Sequence, residues 1–298
     1  NQDINKRHPE FNDSFEKESE FKLGADIQGS GVIIDKDITI DFGGHTYTFT
    51  SPAVGSEGTP TQGFQILKDN DVVLKNGTLN VTDGDARTDF AMLIQNYADL
   101  TINNMTLNGD NLDRYTIKDY DYSYVLSNNS GEVSIEGKTK IIANPGDPTC
   151  EKEHRGIALD ACKYSSYAAP IVTVNTTGEI IGIVEVSATL NLNAIGEGSN
   201  INVELTGNGQ LYNKVDVKGS MTKKVEGTTE GWGTISSPVG TVEINAVEGL
   251  LTADNSHDFY RYNEAEMLWE NIEVHTGTDF TTLEEGRGYL YANTVDTD

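Results

Sequence analysis

The chain has 298 residues, with 47 acidic against 21 basic for a net charge of −26. That balance excludes a general nucleic-acid binder, which needs clustered Lys and Arg against phosphate, and argues equally against docking on anionic lipid. No apolar run approaches the ~20 residues of a membrane-spanning helix, so membrane insertion is not expected.

The length sets an expectation of about two domains. The chain opens Asn1-Gln-Asp with neither an initiator Met nor a signal peptide, and is read as a mature or trimmed chain whose export signal has gone. Residues 1–19 are polar and lack β periodicity, which suits an N-terminal cap over an otherwise open apolar end. From Glu20 onward apolar and polar residues alternate, as in Val32-Ile-Ile34, Ile38-Thr-Ile-Asp-Phe42 and Thr46-Tyr-Thr-Phe49. Helical periodicity is nearly absent thereafter, so the fold class is all-β.

Four polar cassettes follow. Phe64-Gln-Ile-Leu67, Met92-Leu-Ile94, Tyr124-Val-Leu126 and Ile157-Ala-Leu159 open units spaced 28, 32 and 33 residues apart. Each opener leads through a polar turn to a second alternating strand, from Val72-Val-Leu74 to Val172-Thr-Val174. The first two units align without gaps, so that Asn76-Gly-Thr-Leu-Asn80 falls on Asn104-Met-Thr-Leu-Asn108. A fixed period of short strands is the signature of a stacked coil, in which no unit buries its apolar face alone. Asn76 and Asn104 are candidate members of an inward Asn ladder.

Residues 50–63, 82–90, 108–123 and 143–156 fall at one phase, between the end of one unit and the opener of the next. Insertions at constant phase stack on one side of a solenoid, which makes that side the default functional surface. The 82–90 turn carries Asp83, Asp85 and Asp89, which read either as oxygen ligands for Ca²⁺ or as an ordinary Asp-Gly turn. The 108–123 loop carries Asp113, Tyr115, Asp119, Tyr120, Asp121 and Tyr122. Aromatic faces stack on sugar rings and carboxylates accept hydroxyl hydrogen bonds, so this loop is the candidate glycan contact; the plainer reading is a solvated loop whose tyrosines pack on the coil beneath. A polyanionic polysaccharide would be repelled unless a divalent cation bridged it.

Residues 171–217 keep the strand pattern but lose the register, and residues 218–230 are small, charged and flexible in composition, a linker. Residues 231–298 hold both tryptophans, Trp232 and Trp269, with Phe259, Tyr260, Tyr262, Phe280, Tyr289 and Tyr291. Short strands between turn signals there predict a small β-sandwich, with the aromatics read as its core rather than as a ligand platform. Cys150 and Cys162 are either a disulfide, which would contribute about 3 kcal/mol, or two separate thiols. No metal spacing involves them or the five scattered histidines. The five sequons, at Asn76, Asn80, Asn104, Asn128 and Asn175, follow from the Asn and Thr abundance of a stacked β-coil.

The cassettes resemble right-handed parallel β-helices of the pectin-lyase-like superfamily. More closely, Ile38-Thr-Ile-Asp-Phe-Gly-Gly-His-Thr46 and Leu126-Ser-Asn-Asn-Ser-Gly131 resemble coils of surface proteins of gut and oral anaerobes. In the tail, Trp232-Gly-Thr-Ile-Ser-Ser-Pro238, Asp258-Phe-Tyr-Arg-Tyr262 and Phe280 to Asn293 resemble a β-sandwich module of Bacteroidetes surface and adhesin proteins. The resemblance implies export and cell-surface display. It also implies further strands where the chain stops, five residues after Asn293, so the module reads as incomplete.

Enzymes of that superfamily leave marks. Its glycosidases usually carry Asn-Thr-Asp, Asp-Asp, Gly-His-Gly and Arg-Ile-Lys, none of which stands here. Its lyases need acidic Ca²⁺ ligands and a basic residue, for which Asp83-Gly-Asp85 with Arg87 and Asp89 is the one cluster. The expectation is therefore an all-β protein: a cap (1–19), a right-handed parallel β-helix (20–217), a linker and a C-terminal β-sandwich. Its expected role is non-catalytic and adhesin-like, as a secreted or cell-surface protein meeting host or dietary carbohydrate or a host surface protein. A polysaccharide lyase or glycoside hydrolase is the alternative, and a plain spacer the third reading.

Overall fold

The computed structural model describes residues 19–56, 60–83, 89–113, 115–117, 120–146, 153–223, 232–237, 240–247, 250, 257–272 and 280–293. Residues 1–18 of the expected cap (1–19), Asp85, Asp119, Cys150 and the end of the chain lie outside them. The chain is all-β and divides into two compact units near residues 205–222.

The first unit is one large, predominantly parallel sheet of 20 strands. Each strand pairs with its counterpart in the next repeat, which sorts the strands into three columns. The opener column runs Val32–Ile34, Gln62–Ile66, Met92–Asn96, Tyr120–Asn128 and Glu153–Ala161. The second runs Glu20–Lys22, Ile38–Asp41, the first half of Asp71–Val81, the first half of Asp99–Asn108, Glu132–Gly137, Ile171–Thr176 and Thr189–Ala194. The third runs from Ile27–Gly29 through Thr46–Phe49 and the second halves of the two long strands to Lys140–Ile142 and Ile180–Val186. This order is compatible with a β-helix. The later opener spacings pair as expected, with Met92 beside Tyr124 and Tyr124 beside Ile157, whereas the first pair slips by two residues: Met92 stands beside Gln62, and Phe64 beside Ile94.

The alternation explains the columns. Ile38, Val72, Leu100, Val133, Val172 and Leu190 are register partners, and so are Ile40, Leu74, Ile102, Ile135, Val174 and Leu192; all are buried. Each side chain closes over the one beneath, so every repeat needs its neighbours to hide its apolar face. Phe49 and Phe64 meet edge-on with ring centroids 5.0 Å apart, and Phe49 packs on Phe90 at 6.0 Å.

Asn76 and Asn104 bend the long strands at φ 61° and 53°, a left-handed conformation that Asn tolerates. Their side chains do form a ladder: Asn104 Nδ2 donates to Asn76 Oδ1 at 3.4 Å, and Asn76 Nδ2 to Asp41 Oδ1 at 3.1 Å. That ladder is not inward, however, because Asn104 is exposed. The buried pair is Asn96 and Asn128, where Asn96 Nδ2 donates to the Ala98 carbonyl at 2.9 Å and lies 3.5 Å from Asn128 Oδ1. Inside, the amides pair the turn backbone that apolar residues would leave unsatisfied. The Asn128 sequon is thereby closed to modification of the folded chain.

Lys218–Lys223 is a strand pairing with Asn200–Leu205, so the large sheet runs into the segment expected to be linker. The rest of that segment, 224–230, is outside the described residues.

The second unit holds a four-stranded antiparallel sheet, in the order Gly233–Ile235, Tyr289–Asn293, His257–Asn263, Leu268–Asn271. A two-stranded pair, Val242–Glu243 with Thr282–Leu283, accompanies it. Phe259, Phe280, Tyr289 and Tyr291 form its core with Ile244 and Leu283. Phe259 meets Phe280 and Tyr291 edge-on at 5.3 and 5.5 Å. The expectation that all the aromatics are core fails for Trp232, Tyr262 and Trp269, which are exposed. They stand at outward positions of a sheet with one buried face, and alternation places them there.

Candidate functional site

Three of the opener strands, Val32–Ile34, Gln62–Ile66 and Tyr120–Asn128, end in tight polar turns. Asp69 (φ 64°) and Gly131 (φ 85°) adopt left-handed backbone in two of them. A Cβ on Gly131 would lie 2.1 Å from the Ala98 carbonyl oxygen, so the close approach of neighbouring repeats requires glycine. Acidic side chains tie the repeats together at this phase. Asp71 N donates to Asp37 Oδ1 and Glu132 N to Asp99 Oδ1, both at 2.8 Å, while Asp99 N donates to the Asn70 carbonyl at 3.1 Å.

The segment after Cys162 brings tyrosines onto these turns. Tyr164 N donates to the Asn129 carbonyl, and Tyr167 N to the Tyr164 carbonyl. The rings of Tyr164 and Tyr167 then reach Tyr97 at centroid distances of 6.0 and 5.2 Å. A cleft of about 700 Å³ results, lined by Asp69, Asp71, Tyr97, Asp99, Ser130 and Tyr167 among others. Burial, with the neighbouring Tyr164, Tyr167 and Asp160, pushes the Tyr97 phenol up to about 12, so it stays a neutral donor. Lys68, also on the rim, is paired with Asp69 at 3.2 Å. The cleft thus offers aromatic faces, carboxylate acceptors and hydroxyls side by side. These are the groups that hold a sugar.

A second polar group lies on the opener column. Gln65 Nε2 donates to Gln95 Oε1 at 3.1 Å, and Ser127 Oγ to Asp160 Oδ2 at 2.9 Å, with Glu185 the register partner of Asp160. Burial pushes Asp160 up to about 8 against the hydrogen bonds from Asn128 and Ser127. Glu185 is also raised by burial, against the pull of Arg155. The Arg155 guanidinium bonds Glu204, lies 3.7 Å from Glu185 and sits over the Tyr122 ring at 5.6 Å. Tyr122 and Tyr124 stack with centroids 6.1 Å apart, and Ser123 Oγ is 3.0 Å from His154 Nε2.

The expected glycan loop is distributed between these places. Asp121 is buried, and Tyr122 sits on a strand under Arg155. Asp113 is half-buried and donates its backbone N–H to the Phe90 carbonyl at 2.7 Å. Tyr115–Ile117 pairs antiparallel with Tyr120–Tyr122 as a short hairpin. Asp83 and Asp89 are described and Asp85 is not; among the described residues no three acidic, His or Cys side chains gather to hold a metal ion. Cys162 is a free thiol 3.7 Å from the Glu185 carbonyl oxygen, and the other cysteine, Cys150, lies outside the described residues. The cleft tyrosines escaped the sequence reading because Tyr97 and Tyr167 are 70 positions apart. The spacing Tyr164-Ser-Ser-Tyr167 behind a strand end was the available signal.

Compared with known protein families, curated proteins and solved structures, the chain matches none.

Proposed function

We propose that this chain is a non-catalytic, adhesin-like protein of the cell surface or secreted space that holds carbohydrate in the Tyr97–Tyr167 cleft. In this reading the parallel sheet winds as a right-handed β-helix of the pectin-lyase-like kind, and the C-terminal sheets are a β-sandwich module like those of Bacteroidetes surface proteins. The cleft carries the proposal, since rings beside carboxylates, hydroxyls and an amide suit a neutral glycan. Its address differs from the expected one: the turns after the openers, rather than the 82–90 and 108–123 loops.

The test is binding of the full chain to a glycan array with and without Ca²⁺, repeated with Tyr97→Ala and Tyr167→Ala. At least one neutral glycan bound by the wild type should be lost in both variants. An unchanged glycan profile in both variants overturns the cleft as a site, and binding that appears only with Ca²⁺ and acidic glycans replaces the neutral ligand by a cation-bridged one.

The enzymatic alternative draws on Asp160 and Glu185, register partners that are both raised, as a general acid requires. Asp160 is engaged on both oxygens by Ser127 and Asn128, which favours a structural role. Release of reducing ends or unsaturated uronates from a polysaccharide panel would establish the enzyme instead.

A further inference from the structure

The outward face of the four-stranded sheet in the second unit carries an aromatic band. Register aligns Thr234, Leu290, Tyr260 and Asn271 across the four strands, and Tyr262 opposite Trp269. Trp232, two residues before Thr234, shares that face, as does Asp258, two before Tyr260. Trp232 packs on Tyr260 at 5.6 Å and Tyr262 on Trp269 at 5.2 Å, each pair tilted. Trp232 keeps 53% of its surface exposed, Trp269 49% and Tyr262 38%. Two ring pairs therefore cross the sheet, three strand spacings of about 4.8 Å.

The core of this unit does not need these rings. Phe259, Tyr289 and Tyr291 fill the opposite face together with Ile244, Phe280 and Leu283. Half-exposed tryptophans leave apolar area in water, a standing cost that a ligand would relieve. Charge and polarity narrow the occupant. Among the described outward positions of this sheet there is no Lys or Arg, and the one charge is Asp258. Arg287, nearby, donates to Glu284 at 2.9 Å and to the Tyr262 carbonyl at 2.7 Å. Among the described residues no cation is paired with Asp258, so an anionic glycan would meet its carboxylate directly. Three polar side chains, Asp258, Thr234 and Asn271, stand among the rings. Rings separated by hydroxyl, amide and carboxylate groups match the alternating C–H faces and hydroxyls of a neutral saccharide.

We infer that this face is a second carbohydrate site, a stacking platform for a neutral oligosaccharide, separate from the Tyr97–Tyr167 cleft. The chain supplies its own probe, because Trp232 and Trp269 are its only tryptophans. Tryptophan emission of the full chain is titrated with neutral polysaccharides (a β-glucan, a xylan and a galactomannan), with polygalacturonate and with a denatured-protein control. The expected result is a saturable emission change with at least one neutral polysaccharide and none with polygalacturonate or the protein. Trp269→Ala and Tyr262→Ala should each weaken that binding by about tenfold, read by affinity electrophoresis, with unchanged circular dichroism. Tyr97→Ala should leave the emission change in place, which separates this site from the cleft. No emission change with any neutral polysaccharide overturns the inference. So does a response to the protein control alone, or a response that Tyr97→Ala abolishes.

Discussion

Asn128 and Asp160 are bonded twice across neighbouring repeats: the Asn128 backbone N–H donates to Asp160 Oδ1 at 2.6 Å, and its side-chain amide donates to the Asp160 carbonyl at 2.8 Å. Both side chains are buried, so a titratable group sits where water cannot solvate its charge.

The pH dependence follows from that burial. Asp160 titrates near 3.9 when unfolded and at about 8 in the fold. The folded state binds the extra proton, so its contribution is full below about pH 4 and is lost as pH rises towards 8. Asp160→Asn, which cannot ionise, should melt at temperatures that vary less with pH. Thermal melts from pH 5 to 9 check this: wild type should lose ground to the variant as pH rises, and a constant gap would show that Asp160 stays ionised.

Arg155 holds two carboxylates, Glu185 and Glu204, at once. Removing it leaves Glu185 largely buried without its cation. Arg155→Ala should destabilise the fold by about 2–3 kcal/mol, below the ~3–5 of a fully buried pair because both glutamates keep some solvent contact. Chemical denaturation at pH 7 measures it. The loss should shrink at lower pH as Glu185 takes up a proton.

Phe64 is enclosed among Tyr47, Phe49 and the opener column. Phe64→Ala opens a cavity between repeats and should cost about 3–5 kcal/mol in the same measurement. A loss under 1 kcal/mol would mean the column is not the packed core described.

The Cys162 thiol is pushed up to about 12 by burial, with Asp160 nearby. In a Cys150→Ser background, it should react with an aromatic disulfide reagent at pH 8 at least about a hundredfold more slowly when native than when denatured. Equal rates would contradict the burial.

Much of the first unit is legible before folding. The 28-residue offset between Val72 and Leu100 already states which strands become neighbours, because an alternating strand can bury one face only against its own repeat. The Asn76–Asn104 pairing was readable for the same reason. Its exposure was not, since a side chain's side of the wall at a bend depends on the left-handed backbone there. The 108–123 loop shows the other limit. Its acidic and aromatic composition was plain, but only register put Tyr122 beneath Arg155 and buried Asp121.

By itself, then, the sequence determined an all-β chain of stacked repeats, with a different, aromatic composition after residue 231. Periodicity is a local property, and burial of apolar faces enforces it without reference to distant residues. The tertiary structure alone decided the surfaces proposed to bind. Tyr97 meets Tyr167 where two connections between strands come together, and Trp232 shares a face with Trp269 through strand register. Those contacts join residues whose separation along the chain carries no pattern.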